Sequence, residues 1–344
     1  MNSQIELLRG IAILAVIGVH TTMFFVETKV ITLLTLTNLY LDVIFHYAVP
    51  LFITISGYVL SLKYTQDFEL KHFYLRRLGN ILPPYLLTNL FFYILPEVYI
   101  YKSGSTVQEI LYKLATFSTA MHFWFFIIII ELYLAYPLIL RAYKYLLRRF
   151  DLKITLCLFF LVQVVSSIFL TGTDIFLKDI FYFILGMSLN LHKDLICGAL
   201  QKLNAKILPA VTLLVSLCAS YLWYNFYLVA RDIVFMQIRG LVDTVLYSLI
   251  VVLLFFLTRA QHLYDNKISA FVSGVLGKYS FGIYLIHMSF LEALRNVLTC
   301  LEISSTEFIF YPLLFVSTLC LSLLSAYLLN KVPYGFLIMG KVKE

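Results

Sequence analysis

The sequence predicts an all-α fold, a polytopic transmembrane helical bundle of about ten spans. The first observation is composition, because 61% of the 344 residues are hydrophobic and 13% are charged. A soluble domain carries about 25% charged residues. The second is that apolar runs of about twenty residues, long enough to cross a bilayer, recur along the chain. The third is an alternation of basic charge between the connections.

The first apolar run, residues 5–25, is predicted to be a membrane span and not a cleaved signal peptide. It contains Glu6 and Arg9 early and has no small-x-small cleavage site. No appended soluble domain is expected, so residues 1–344 are predicted to form one transmembrane domain. Nine further runs have the length of a span, and they cover residues 40–62, 79–96, 122–140, 154–171, 174–190, 207–227, 240–257, 271–294 and 307–330.

The distribution of lysine and arginine predicts the orientation of the bundle. One set of alternate connections holds 17 of these residues and the other set holds 6. The positive-inside rule places the basic set, and with it both termini, in the cytoplasm. Topology therefore explains the net charge of +7, and no nucleic-acid partner is expected. The basic connections are 63–78, 141–153, 190–206, 258–267 and 331–344.

The first predicted helix carries three ionisable residues, Glu6, Arg9 and His20, in an otherwise apolar run. An arginine at the centre of a membrane helix costs about 2.5–3.5 kcal/mol on insertion scales. Eleven residues return a helix to within about 20° of its starting azimuth, so Arg9 and His20 share one face about 16 Å apart. Glu6 lies on nearly the same face. Either this stripe is functional, or Arg9 snorkels and His20 is a hydrogen-bonded interior histidine.

Two segments of the next spans allow a structural and a functional interpretation. Ser56 and Gly57 are small residues within a span, where they permit close helix packing or the approach of a ligand. Arg76 and Arg77 precede a span that Pro83 and Pro84 interrupt. Such a pair is either a topological anchor or a clamp for a polyanion.

Two later segments place further polar residues in apolar surroundings. Trp124 either stacks on a sugar ring or packs in the core among its phenylalanine neighbours. Glu131 lies in an apolar helix, where a lone carboxylate is costly unless it is paired or protonated. Ser280, Tyr284 and His287 follow at i, i+4 and i+7 and form one polar edge of the ninth span. These three side chains either serve a substrate or satisfy one another in the core.

Five short motifs follow one another between residues 6 and 287. They are Glu6 to Ala12 with His20 as Arg-x10-His, Phe52 to Tyr58 around Ser56-Gly57, Arg76-Arg77 before Ile81 to Tyr85, Phe123 to Phe125 with Tyr133, and Ser280 to His287. Motifs of this kind, in this order, on a chain of about ten spans resemble those of the acyltransferase-3 family of membrane O-acyltransferases. That family modifies bacterial surface polysaccharides and related glycans.

The resemblance implies a ten-helix bundle with a pore-like cavity in the plasma (inner) membrane of the cell. It implies acyl-coenzyme A as the donor substrate, entering from the cytoplasm, and no bound cofactor. Acetyl is expected rather than succinyl as the acyl group. The implied acceptor is a hydroxyl of a glycan, presented from the outer side or linked to a lipid.

The resemblance also suggests roles for the candidate residues. Acyl transfer to an alcohol needs a base, a bound carbonyl and a held donor. His20 is expected to be the general base, and Arg9 to assist it and to hold the donor together with Arg76 and Arg77. The family often has arginine where this chain has Asn80, so one expected charge is missing at the donor site. The remaining candidates are expected on the substrate side, and they are Glu6, Ser56, Trp124, Glu131, Tyr284 and His287.

Two other functions remain open at the level of sequence. An exporter or flippase of a glycan or lipid-linked sugar would also use a polar path through Arg9, His20, Glu131 and His287. A scaffold in a polysaccharide-synthesis complex would use the same residues only to join helices. No metal site is expected, because the five cysteines show no metal-ligand spacing and no cluster of ligands is apparent. A clamp for a coenzyme favours the enzyme, since an exporter has no use for one.

Overall fold

The computed structural model confirms the polytopic helical bundle. It describes residues 3–27, 31–66, 68–100, 102, 104–170, 172–202, 206–230, 233–260 and 265–342, and these residues form helices and turns without a strand. The first seven α-helices are α1 (Ser3–Thr22), α2 (Leu33–Phe45), α3 (Ala48–Lys63), α4 (Leu70–Thr88), α5 (Val107–Ala115), α6 (Trp124–Arg149) and α7 (Leu152–Phe169).

The second half of the chain continues the bundle with eight more α-helices in its described part. They are α8 (Ile180–Leu191), α9 (Lys193–Lys202), α10 (Ile207–Tyr224), α11 (Ile233–Leu257), α12 (Lys267–Phe271), α13 (Lys278–Cys300), α14 (Phe310–Lys331) and α15 (Phe336–Met339). Short π-helical segments interrupt several spans, at Asn89–Ile94, Pro96–Ile100, Asn225–Ala230 and Val272–Gly277.

Nine helical segments within the described ranges are long and apolar enough to cross a membrane, or ten if one bent pair counts as a span. The second segment, Leu33–Lys63, begins earlier than predicted because α2 and α3 join at residues 46 and 47. The sixth predicted span, 174–190, is different. There α8 is 12 residues long, about 18 Å, and turns by 94° into α9. The hydrocarbon core is about 30 Å thick, so α8 alone is too short to span it.

The packing of α8 explains why its sequence looks like a membrane span. Nine of its 12 residues are buried inside the bundle. A β-carbon at Gly186 would collide with the carbonyl oxygen of Thr54, and one at Gly57 would collide with the carbonyl oxygen of Phe183. The backbones of α3 and α8 therefore touch at two glycines, one from each helix. A helix buried in protein on all sides is as apolar as one that faces lipid.

A second pair of glycines fixes α1 against the π-helical segment that precedes α13. A β-carbon at Gly10 would collide with the carbonyl oxygen of Val272, and one at Gly277 with the carbonyl oxygen of Glu6. Small residues at helix contacts allow backbones to approach this closely in membranes. Gly10 belongs to the first of the five sequence motifs, so part of that motif serves helix packing.

The α1–α13 contact predicts that Gly277→Ala destabilises the protein. The added methyl group has to push α1 away, and overpacking of this kind costs about 1–3 kcal/mol. We expect the thermal unfolding temperature of the purified protein in detergent to fall by roughly 2–6 °C. Gly274→Ala is the matched control, because a β-carbon there meets no atom within 4 Å. Equal unfolding temperatures for the two variants would show that the close contact does not matter.

Candidate active site

Three imidazole rings meet inside the bundle, and we call them the imidazole cluster: His20, His122 and His287. The ring centroid of His287 lies 5.2 Å from that of His20 and 4.7 Å from that of His122. The centroids of His20 and His122 are 6.2 Å apart. His20 comes from α1 and His287 from α13, whereas His122 lies in the turn before α6. The cluster therefore joins three parts of the chain.

The glycine contact between α1 and α13 sets the position of two of these rings. His20 follows Gly10 by ten residues, and His287 follows Gly277 by the same ten. Each histidine is therefore about 15 Å further along its helix than the contact glycine. Equal offsets along neighbouring helices bring the two rings to the same level, where they face each other.

The hydrogen bonds of the cluster leave several ring nitrogens without a partner. His287 is fully buried, and its Nδ1 lies 2.8 Å from the carbonyl oxygen of Tyr284. A nitrogen this close to a carbonyl oxygen is the protonated one, so Nε2 of His287 is left as an acceptor. That Nε2, and the buried Nδ1 of His20, meet no hydrogen-bond partner in the described part of the chain. His20 itself keeps a partly exposed side chain.

The sequence interpretation did not include His122 among the site residues. It is 2% exposed, and its backbone carbonyl oxygen accepts a hydrogen bond of 2.5 Å from the hydroxyl of Tyr284. Neither of its ring nitrogens meets a hydrogen-bond partner among the residues described. The available signal was its place directly before Phe123 and Trp124, which belong to the fourth motif. Of the sequence candidates, His287 belongs to the cluster, and the ring of Tyr284 lies against it, with its centroid 5.1 Å from that of His122.

A second group of candidates lies where α3 ends and α4 begins, which we call the basic end of the bundle. The guanidinium carbon of Arg77 lies 5.0 Å from the ring centre of Tyr64 and 5.9 Å from that of Tyr133. Cation–π contacts of this kind hold an arginine without using its hydrogen-bond donors. Nε of Arg77 is buried without a hydrogen-bond partner from the described residues. Arg76 and Asn80, by contrast, are exposed.

Arg9 and Glu6 form an ion pair along α1. Their side-chain atoms Nη1 and Oε1 are 3.5 Å apart, and the side chains are 29% and 20% exposed. The i,i+3 spacing allows Glu6 to orient the guanidinium. Arg9 remains partly open, and about 16 Å of helix separate it from His20.

Three other candidates lie away from the imidazole cluster. The hydroxyl of Ser56 donates a hydrogen bond of 2.9 Å to the carbonyl oxygen of Phe52 in its own helix. Oε2 of Glu131 accepts a hydrogen bond of 2.9 Å from the backbone N–H of Phe176, in the connection before α8. Trp124 lines an open cavity of about 200 Å³. Glu131 thus has the partner that its burial requires, and the partner comes from the backbone.

The fold and this site define a class of protein. It is a multi-pass membrane protein with a histidine cluster in its interior and, at its basic end, an arginine (Arg77) held against aromatic rings. The chain belongs to the acyltransferase-3 family, because the family model described as an acyltransferase domain matches residues 2–327. It is therefore a membrane acyltransferase. Neither the curated proteins nor the solved structures contain a match to this chain. Within the described residues, no group of three or more His, Cys, Asp or Glu side chains is arranged to hold a metal ion.

The Glu131–Phe176 hydrogen bond predicts how substitutions at Glu131 behave. Glu131→Leu leaves the partly buried N–H of Phe176 without this acceptor, and the loss of one hydrogen bond costs about 0.5–1.5 kcal/mol. We expect the thermal unfolding temperature to fall by about 1–4 °C. Glu131→Gln keeps an acceptor oxygen and should unfold at nearly the wild-type temperature with unchanged acyl transfer. Loss of acyl transfer in a stable Glu131→Gln protein would instead place this carboxylate in substrate binding.

Proposed function

We propose that this protein is an O-acyltransferase that moves an acyl group, expected to be acetyl, from acyl-coenzyme A to a hydroxyl of a glycan. His20 acts as the general base. The observation that carries the proposal is the arrangement of His20, which is partly exposed inside a membrane bundle and packs against the buried ring of His287. Free imidazole has a reference pKa of about 6.5, so a histidine base is neutral and able to accept a proton at physiological pH.

His287 is placed to orient His20. Nε2 of His287 is an acceptor without a partner, and the buried Nδ1 of His20 also meets no partner in the described structure. The ring centroids are 5.2 Å apart, so a rotation of the rings could bring these two atoms into a hydrogen bond, and catalytic hydrogen bonds are often long before substrate binds. The bond would keep the proton of neutral His20 on Nδ1. Nε2 of His20 would then present its lone pair to the acceptor hydroxyl.

The proposed reaction follows from this orientation. The acceptor oxygen attacks the carbonyl carbon of the thioester while its proton passes to Nε2 of His20. The carbon–sulfur bond of the tetrahedral intermediate then breaks, and the coenzyme A thiolate takes the proton back from His20. The products are an ester on the glycan and free coenzyme A, so His20 returns to its neutral form.

The donor is proposed to bind from the basic end of the bundle. Coenzyme A carries a diphosphate and a 3′-phosphate, and guanidinium groups bind phosphate with paired hydrogen bonds. The contacts of Arg77 with Tyr64 and Tyr133 leave the ends of its guanidinium free for such bonds. Arg76 is exposed beside it, and Arg9 lies between the basic end and His20 along α1.

The proposed orientation places the basic end in the cytoplasm of a cell whose inner membrane holds the protein. The basic connections support this through the positive-inside rule. Acyl-coenzyme A is a cytoplasmic metabolite class, and the acceptor glycan or lipid-linked saccharide would reach His20 from the opposite side. The bundle would thus pass an acyl group across the membrane without passing the coenzyme.

The proposal predicts that His20→Ala loses acyl transfer while the protein still folds. General acid–base catalysis contributes about 10²–10⁴-fold to rate, and kcat should fall by that factor. His287→Phe should lower kcat by less and leave KM for the acyl donor unchanged, since it only orients the base. The measurement is release of free thiol from acyl-coenzyme A by membranes supplied with cell-envelope glycans. His72→Ala, a variant of an exposed histidine on α4, is the control.

Two results would contradict this role. Wild-type thiol release by folded His20→Ala protein would exclude His20 as the base. Transport of a glycan across the membrane without acyl-coenzyme A would instead support the exporter.

The donor site predicts a different change for Arg77→Gln. Loss of a charge-assisted hydrogen bond costs about 1.5–3 kcal/mol, so KM for acyl-coenzyme A should rise by roughly 10–100-fold. The kcat at saturating donor should change much less, because Arg77 binds a part of the donor that does not react. Arg148→Gln, at an exposed arginine near the end of α6, controls for the general loss of positive charge. An equal change in KM for both variants would argue against a specific clamp at Arg77.

A further inference from the structure

The cavity lined by Trp124 is separate from the imidazole cluster and has room for a ligand. Its volume is about 200 Å³, whereas a single water needs about 10–15 Å³ of such space. An engineered cavity of about 150 Å³ in another protein holds benzene, so the volume suits one six-membered ring. Its walls combine aromatic rings with carboxyl groups, and they include Trp124, Asp179, Tyr182, Trp223, Asp243 and Tyr247.

The two tryptophans play different parts in this wall. The indole Nε1 of Trp223 donates to both carboxylate oxygens of Asp243, at 3.1 and 3.0 Å. Its ring is covered by His46, with centroids 4.7 Å apart, and by the guanidinium of Arg239 at 4.6 Å. These contacts hold the Trp223 side chain in one position in the cavity wall. Trp124 is partly exposed and contacts one aromatic ring among those described, Phe125, edge-on at 6.5 Å. Its indole face is available for stacking.

Tyr247 supplies a polar group that lacks a partner. It is 7% exposed, and its hydroxyl forms no hydrogen bond within the described part of the chain. A buried hydroxyl without a partner costs about 1–3 kcal/mol, so the site is completed by a molecule in the cavity. Asp179, directly before the first residue of α8, adds a carboxyl group to the lining. Burial raises the pKa of Asp179 to about 7, so near neutral pH its carboxyl can donate as well as accept a hydrogen bond.

The cavity adjoins the imidazole cluster. Trp124 follows His122 by two residues. Asp42 pairs with His46 at 3.6 Å and accepts a hydrogen bond of 3.1 Å from the hydroxyl of Thr22 in α1. A molecule in the cavity therefore lies beside the end of α1 that carries His20.

We infer that this cavity binds one pyranose ring of the acceptor, stacked on Trp124, with Tyr247 and Asp179 bonded to its hydroxyls. This inference rests on the proposed acyl transfer to a glycan and names the place where the sugar lies. Nε of Arg239 lies 3.8 Å from Oδ2 of Asp243 and balances the charge of that carboxyl group. Lys178, also in the lining, donates to the carbonyl oxygen of Thr173 at 2.8 Å.

The chain offers a direct optical test, because it contains two tryptophans and both line this cavity. Purified protein in lipid nanodiscs, which avoid detergents with sugar headgroups, is titrated with methyl glycosides while tryptophan fluorescence is recorded. The probes are methyl glucoside, methyl N-acetylglucosaminide and methyl glucuronide. We expect a saturable change with at least one of the three glycosides. Absence of a saturable change with every probe would overturn the inference.

Tyr247→Phe tests the site with one atom removed. Because the lost hydroxyl has no hydrogen-bond partner among the described residues, the variant should fold normally and bind the glycoside about tenfold more weakly. Its KM for acceptor should rise by the same factor, with KM for acyl-coenzyme A unchanged. Tyr221→Phe, at a 63% exposed tyrosine on α10, is the matched control. Unchanged glycoside affinity in Tyr247→Phe would mean that only water completes the hydroxyl, and the inference would be wrong.

The two proposals fail in different ways. His20-dependent thiol release that neither Tyr247→Phe nor Trp124→Ala alters would leave the acyltransfer proposal standing and overturn the sugar site. Saturable glycoside binding without thiol release from any acyl-coenzyme A would support the sugar site and overturn acyl transfer by His20.

Discussion

The contact on which the active site depends is the approach of two backbones, where Gly10 of α1 and Gly277 before α13 lie against opposing carbonyl oxygens. No larger side chain fits at either position without moving a helix. Because His20 and His287 each lie ten residues further on, the contact determines which side chains meet deeper in the bundle. The Arg-x10-His motif therefore sets the distance from Arg9 to His20 along α1, and Gly10, beside the arginine, fixes the position of the helix. The glycine pair between α3 and α8 fixes those two helices against each other in the same way.

The fold was predictable from the sequence wherever one helix faces lipid along its whole length, and less so where protein surrounds a helix. Lipid and protein interiors select the same apolar residues, so the run 174–190 reads as one straight span although α8 is short, largely buried in the bundle, and bends by 94° into α9. His20 and His287 were predictable because ionisable residues stand out in apolar runs. His122 was not, because it lies in a turn before α6, where a histidine is unremarkable. The partner of Glu131 is a backbone N–H more than forty residues away, which no local pattern indicates.

Unpartnered polar atoms mark the parts of the structure that await a ligand. A buried polar atom without a hydrogen bond costs about 1–3 kcal/mol, so a folded protein keeps few of them without a reason. Some here are threonine and serine hydroxyls in helix contacts, such as Thr155 and Ser322. Among the described residues the others are Oε2 of Glu6 beside Arg9, Nε of Arg77 at the basic end, the rings of the imidazole cluster, the hydroxyl of Tyr247 in the cavity, and Nε and Nη1 of Arg239 against Trp223. The proposed donor, reacting centre and acceptor would supply partners at the basic end, at the cluster and at the cavity.

The apolar interior of the bundle explains why the proposed base is an imidazole. A carboxylate base at this depth would be charged whenever it is ready to react, and a charge in hydrocarbon is costly unless it is paired. An imidazole is neutral when ready and becomes charged only while it holds the proton of the acceptor. The groups that stay charged lie elsewhere, with Arg77 among aromatic rings and Arg9 paired with Glu6. The proposed base His20 has two further imidazoles as ring neighbours, and these can be neutral while it gains and releases a proton.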